Sequence, residues 1–291
     1  MSGKYHVRSV SLPSRSHPTT QRLEEELNRL KTWGAMSTST SESIRNGLAG
    51  LVDLYRCMDD LLNMPSTQQV LSHHQNEKYV EELLDGSVRL LDICGISRDF
   101  LLQIKEHVRA LQSAFRRRKG DSSCIESSTN DYTCFRKKMK KDARKLITAL
   151  KKMENKWALS PVLDLDHHLS ALIRVLREAC AMNVSLFQSL LLYLIAPVPK
   201  PKPTGWSLVS KLMHRGVVAC EEKQEEVNEV VVVDAALRYA SNEGFDAEKT
   251  EIAHKRLGDL EISIEDLENG LECVFRRLIK TRASVLNIIS Q

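Results

Sequence analysis

The chain has 291 residues, a formal net charge of +4 and only 5 % aromatic residues. That length allows one large domain or two modest ones. Charge of that size requires no polyanionic partner, and the leucine-rich, charged composition suits helical packing and excludes a sheet-dominated fold.

Residues 1–20 form a tail bearing Ser, Arg and Pro but no carboxylate. It has too little apolar content to bury a core and is expected to be disordered. Helical periodicity starts near Arg22, with Leu23, Leu27 and Leu30 on one face, and runs to Trp33. Gly34 and the Ser/Thr cluster at 37–41 are expected to break it. Ser41 or Ser43 is a candidate cap for a second helix carrying Ile44, Leu48, Leu51, Leu54, Met58, Leu61 and Leu62, ended by Pro65. A third helix is expected over Glu77–Cys94, stopped by Gly95, and a fourth capped by Ser97 and running to Phe115. Short connections of this kind favour antiparallel neighbours.

After a polar loop at 120–130, the spacing predicts a fifth helix over Asp131–Trp157, very basic in its first half. A sixth begins near Asp164 and passes through Leu172, Leu176, Phe187 and Leu194. Alternating proline over Pro197–Pro203 predicts an extended spacer. A short amphipathic piece around Trp206 to Met213 and an acidic loop at Glu221–Glu229 follow. The β-branched run Val230–Val233 is too brief, and too closely followed by a helical pattern, to count as a strand.

From Ala253 onward the chain steps by four and three through Leu257, Leu260, Ile264, Leu267, Leu271, Val274, Leu278, Thr281, Val285 and Ile288. That is a heptad seam needing a partner surface. It has two readings, an intermolecular coiled coil or a helix of the chain's own bundle. Phe275, Ile279 and Ile289 widen the apolar face and favour the second. The expected architecture is therefore all-α, a bundle of long antiparallel helices with a heptad-patterned C-terminal helix. Its parts are the tail (1–20), a bundle (21–196), a Pro-rich then acidic linker (197–234) and C-terminal helices (235–291).

Seven cysteines are scattered without a C-x-x-C pair, which argues against a disulfide framework and for a reducing compartment. The N-terminus lacks an apolar stretch, and the apolar run Val184–Ala196 is short for a bilayer span. A cytoplasmic protein, peripheral to a membrane at most, is expected; nuclear and plastid locations are the weaker alternatives.

Three motifs are candidates for function. Arg8, Ser9, Ser11 and Pro13 fit the R-S-x-S-x-P pattern that 14-3-3 proteins read once the second serine is phosphorylated. The competing readings are a basic tail that matches by accident and an organelle transit peptide. Arg136, Lys137, Lys138, Lys140, Lys141, Arg144 and Lys145 form a basic cluster. It suits an anionic lipid surface, an import receptor or, less well for want of interleaved aromatics, nucleic acid. Its bland alternative is a solvated face pairing with the acidic stretch at 221–229. Asp164, Asp166, His167 and His168 lack the i, i+4 pairing of a zinc helix, as do His73 and His74, so no metal or other cofactor is expected. No phosphate-binding Gly loop, G-x-S-x-G elbow or H-E-x-x-H is present, which argues against an enzyme.

Several blocks in order carry a family resemblance: the opening from Tyr5 to Pro18, Glu24 to Trp33, Leu84 to Cys94, Phe187 to Leu190, Trp206 to Leu212 and Phe275 to Arg282. Together they span nearly the whole chain, which resembles the plant-specific family that includes the BYPASS proteins. The resemblance implies a role in root and shoot development, linked to restraint of a mobile root-derived signal, and carries no catalytic residues. It leads to the expectation of a non-enzymatic regulator acting through protein partners. The rivals are a peripheral membrane adaptor and an enzyme of the mobile-signal pathway.

Overall fold

A computed structural model describes residues 18–36, 40–73, 78–117, 122–159, 167–197, 228–243 and 247–290. Among them there are eight α-helices and no strand. They are α1 (Pro18–Met36), α2 (Ser41–Leu62), α3 (Pro65–His73), α4 (Lys78–Arg116), α5 (Ser122–Leu159), α6 (His167–Ile195), α7 (Glu229–Glu243) and α8 (Ala247–Ile289).

Several boundaries differ from the sequence expectation, each for a local reason. Gly34 does not stop α1, which continues to Met36. The cap of α2 is Thr40 rather than Ser41 or Ser43: its side-chain oxygen accepts the Ser43 N–H at 3.2 Å. Pro65 opens α3 instead of merely closing α2, sitting at a first helical position where its missing N–H costs nothing. The third and fourth expected helices are one 39-residue helix, α4. Gly95 passes through it, and the Ser97 hydroxyl, rather than capping a new helix, donates to the Ile93 carbonyl at 2.8 Å. Helix α5 starts at Ser122, inside the expected polar loop. The valine run 230–233 lies in the first turns of α7 with Val230 and Val233 buried. Part of the expected linker is thus core.

Helix α8 is the centre of the bundle, packing most extensively on α4 and α2, then on α7 and α3. Direction follows from the cross-links. Arg98, Lys105 and Arg109 of α4 meet Glu272, Glu268 and Glu261 of α8 in reverse order, so these helices are antiparallel. On α2, Arg45 meets Asp266 and Asp59 meets Arg277, so α2 runs alongside α8 in the same direction. Close approach of α2 to α8 depends on Gly270, where a Cβ would stand 2.9 Å from Leu48 Cδ1 and 3.2 Å from its Cβ.

Helix α6 packs against α5, α4, α2, α1 and α3. Its stretch Leu169–Ile195 is long and apolar enough to cross a membrane by length and composition. Here the environment is that of a core helix: Leu172, Val184, Phe187, Leu190 and Leu194 are buried, and the Asn183 amide donates to the Tyr55 hydroxyl at 2.7 Å. Helix α5 packs chiefly on α4 and α6 and lies at the bundle's edge.

Candidate functional site

The sequence-predicted sites have different fates. Arg8, Ser9, Ser11 and Pro13 lie outside the described residues, as do Asp164, Asp166, His74 and Cys220. The heptad seam is consumed within the chain. Leu257, Leu260, Ile264, Leu267, Leu271 and Val274 are fully buried, and Leu278, Val285 and Ile288 nearly so. The basic cluster is divided between the interior and the surface.

Arg136 belongs to the interior, which corrects its placement on a basic surface. The buried face of α5 steps through Ile125, Thr129, Tyr132, Arg136, Met139, Ala143, Leu150 and Met153, with Leu146 partly buried between Ala143 and Leu150. Arg136 occupies a seam position, and a cation there needs a partner. Asp234 of α7 supplies it. Its carboxylate accepts from Arg136 Nε and Nη2, both at 3.1 Å, from Lys140 Nζ at 3.0 Å and from the Tyr132 hydroxyl at 2.8 Å. Arg136 Nη1 donates to the Leu194 carbonyl at 2.7 Å, satisfying one of the orphan acceptors at the end of α6. Burial is the largest influence on the Asp234 carboxyl and pushes it upward, but Arg136, Lys140 and Tyr132 together outweigh that and hold it below 3.8. Burial also pushes the Tyr132 phenol well above 10.0, with the Asp234 charge adding to it.

A second polar node adjoins the first at the start of α7. Asn228 caps the helix, its Oδ1 accepting the Val231 N–H at 3.1 Å while its Nδ2 donates to the Tyr193 carbonyl at 2.8 Å. Glu229 accepts from the hydroxyls of Ser41 at 2.5 Å, Ser263 at 3.0 Å and Tyr193 at 3.1 Å. The two nodes join α2, α5, α6, α7 and α8 at one end of the bundle. Glu229, read from sequence as part of a solvated acidic loop, is a structural residue.

The cations near the end of α8 are also engaged. Asp59, buried on α2, accepts from Arg277 at 3.0 Å and Lys280 at 2.8 Å. Arg282 donates to the Leu84 carbonyl at 2.5 Å and the Ser87 hydroxyl at 2.7 Å, and Arg276 pairs with Glu272 one turn back at 2.7 Å.

What remains on the surface is one face of α5. Lys137, Lys138, Lys141, Arg144, Lys145, Lys151, Lys152 and Lys156 are all exposed. Only Lys145 among them has an ion-pair partner within the described residues, Asp142 at 2.7 Å. The strip therefore loses Arg136 and Lys140 from the sequence expectation and gains Lys151, Lys152 and Lys156. The missed signal was the four-three step on the buried side, which fixes which flank of α5 faces water.

Reactive side chains are otherwise dispersed. No group of three or more His, Cys, Asp or Glu suited to a metal occurs among the described residues. The described cysteines are free thiols, Cys57 and Cys94 buried and Cys124, Cys134 and Cys273 exposed. Burial pushes the thiols of Cys94 and Cys180 to about 12. An apolar cavity of about 60 Å³ lies among α2, α3, α4, α6 and α8, bordered by Tyr55, Leu84, Cys180, Thr281 and Arg282. A polar hollow of about 290 Å³ is lined by Ser41, Glu42, Arg45, Glu229, Ser263 and Asp266.

No curated protein and no solved structure matches the chain. The sequence model of the family described as Protein BPS1 matches residues 47–288, from the second turn of α2 to the end of α8. The match covers nearly all of the central helix, most of α2, all of α3 to α7 and, apart from Ser41, both polar nodes, and the chain belongs to this BYPASS-related plant family.

Proposed function

We propose that the protein is a non-enzymatic regulator of root and shoot development that works in the cytoplasm through protein–protein contacts. The observation that carries this reading is the family match over 47–288, which takes in most of the helical core. The use of reactive groups supports it. The phenols of Tyr55, Tyr132 and Tyr193 are raised well above 10.0, chiefly by burial, and each is committed to a packing hydrogen bond. A catalytic site would set such groups along a cleft of several hundred Å³. The apolar cavity is far smaller, and in the polar hollow Arg45 is tied to Asp266 and Glu229 to three hydroxyls.

The tail motif Arg8, Ser9, Ser11 and Pro13 is the proposed contact for a 14-3-3 protein, with phosphorylation of Ser11 supplying the charge that such a groove reads. The test is growth of plants lacking the protein, carrying either the intact gene or a Ser11→Ala version. Altered roots and shoots, restored by the intact chain and only partly by the variant, are expected. Normal growth without the protein would sink the developmental assignment, and full rescue by Ser11→Ala would remove the phospho-switch. Consumption of a plant metabolite by the purified protein would overturn the non-enzymatic part.

A further inference from the structure

Apart from the Lys145–Asp142 pair, the exposed strip of α5 is not used by any contact described above, and its geometry is regular. Taking 3.6 residues per turn and a rise of 1.5 Å, Lys137, Lys141, Arg144 and Lys151 fall within a band about 80° wide, and the strip to Lys156 is roughly 28 Å long. On α5 itself, Asp142 and Glu154 lie on the flanks of the strip, and Asp142 already accepts from Lys145. Lys145, with Lys138 and Lys141 contributing, holds the Asp142 carboxyl below 3.8, so even this acid is covered by the strip's own field.

From this arrangement we propose that α5 lies flat on the anionic face of a membrane, held by lipid headgroups of phosphatidylserine or phosphoinositide type. The residue types select that partner. Seven of the eight cations are lysine, a strongly hydrated point charge that gains from a diffuse anionic surface without giving up its water. Protein interfaces are depleted in lysine and need a desolvated apolar or aromatic anchor, and among the described side chains of α5 no large hydrophobic one is exposed. Nucleic acid favours the planar fork of arginine or aromatic stacking, and the strip offers one arginine and no aromatic residue. A band of long cationic side chains along one edge of the bundle can reach a common plane. Because the strip carries no apolar wedge, the contact is electrostatic and reversible, and it is released by salt as the Debye length shrinks. This inference goes beyond the developmental reading and does not depend on it.

The experiment is co-sedimentation of the full chain with phosphatidylcholine vesicles, with and without about 30 mol% phosphatidylserine, at about 0.1 M and 0.5 M salt. A variant carrying Lys137→Gln, Lys141→Gln, Arg144→Gln and Lys151→Gln is compared with one carrying Lys4→Gln, Arg8→Gln and Arg15→Gln in the tail. The four strip side chains are exposed and unpaired, so the fold is retained, which circular dichroism checks. Binding is expected only to phosphatidylserine vesicles at low salt. It should fall on the order of a hundredfold or more in the strip variant, at about fivefold per cation, and survive in the tail variant. No binding at low salt, equal binding by the strip variant, or loss in the tail variant each overturns the proposal. Tighter binding of duplex DNA or RNA than of vesicles, abolished by the same four changes, overturns it in favour of nucleic acid.

Discussion

Along α8, the seam is flanked by charges that neighbouring helices neutralise, whereas along α5 the charges opposite the seam are left to solvent. The two helices are of similar length, 43 and 38 residues, and both step by four and three on the buried side. Glu261, Glu265, Glu268 and Glu272 of α8 are met by Arg109, Lys105 and Arg98 of α4, and Asp266 by Arg45 of α2. Among the described residues α5 has only α4 and α6 as extensive neighbours, and its outer flank finds no acidic helix there. One pattern of burial thus yields a closed helix at the centre and a charged, open one at the edge. A helix's place in the bundle, rather than its periodicity, decides whether its polar flank becomes scaffold or contact surface.

The sharpest way to break the comparison is to attack the one cation that α5 sends inward. Asp234→Ala leaves Arg136 buried without a counter-charge and should cost about 3–5 kcal/mol in urea denaturation. Asp234→Asn keeps the shape and exposes the pH dependence. The folded carboxyl titrates below its ordinary value of 3.8, so the wild-type contribution is complete above that value and disappears as pH falls through the folded one. The loss of stability in acid should therefore be shallower in Asp234→Asn than in wild type. Parallel acid profiles for the two proteins would mean that Arg136 is stabilised by something other than this carboxylate.

Next in size is the seam of α8. Leu267 is fully buried, and Leu267→Ala should cost about 2–5 kcal/mol through lost burial and the cavity left behind. A similar truncation on the outer flank of α5, Lys141→Ala, should stay within about 0.5 kcal/mol. If the seam were instead the interface of a coiled coil between chains, the cost of Leu267→Ala would depend on protein concentration. A midpoint independent of concentration is expected.

How far these features could be read in advance depended on whether the controlling interaction was local. The seam from Leu257 to Ile288 was legible because periodicity alone marks it; of the residues expected to widen it, Phe275 packs partly buried against the core, whereas Ile279 is exposed. Thr40, Gly95 and Pro65 were harder. Each residue type both starts and interrupts helices, and packing settles which applies: Ile93, Cys94 and Ser97 are buried around Gly95, so continuing α4 outweighs the roughly 1 kcal/mol that a helical glycine costs. Arg136 was misplaced because its neighbours Lys137 and Lys138 dominate the local charge, although it stands in step with Tyr132 and Met139. Its partner Asp234 is 98 residues away, on a helix whose start falls in the expected linker. Pairings over such distances are fixed by the tertiary fold and leave no mark in a sequence window.

The smallest effect separates packing from propensity within α8 itself, through its two glycines. A Cβ added at Gly258 meets nothing within 4 Å, so Gly258→Ala only removes the entropic cost of glycine in a helix interior and should stabilise by about 1 kcal/mol. Gly270 gains the same propensity term, but its new Cβ presses on Leu48, one of whose contacts is that residue's own Cβ at 3.2 Å. Relieving it requires α2 and α8 to move apart along a line where Leu48 and Leu271 are buried, and such overpacking costs about 1–3 kcal/mol. Gly270→Ala should therefore be neutral to destabilising while Gly258→Ala raises the thermal midpoint, both read by calorimetry on the full chain. Equal stabilisation by the two substitutions would show that α2 sits farther from α8 than Leu48 and Gly270 indicate, and would weaken the assignment of α8 as the close-packed centre.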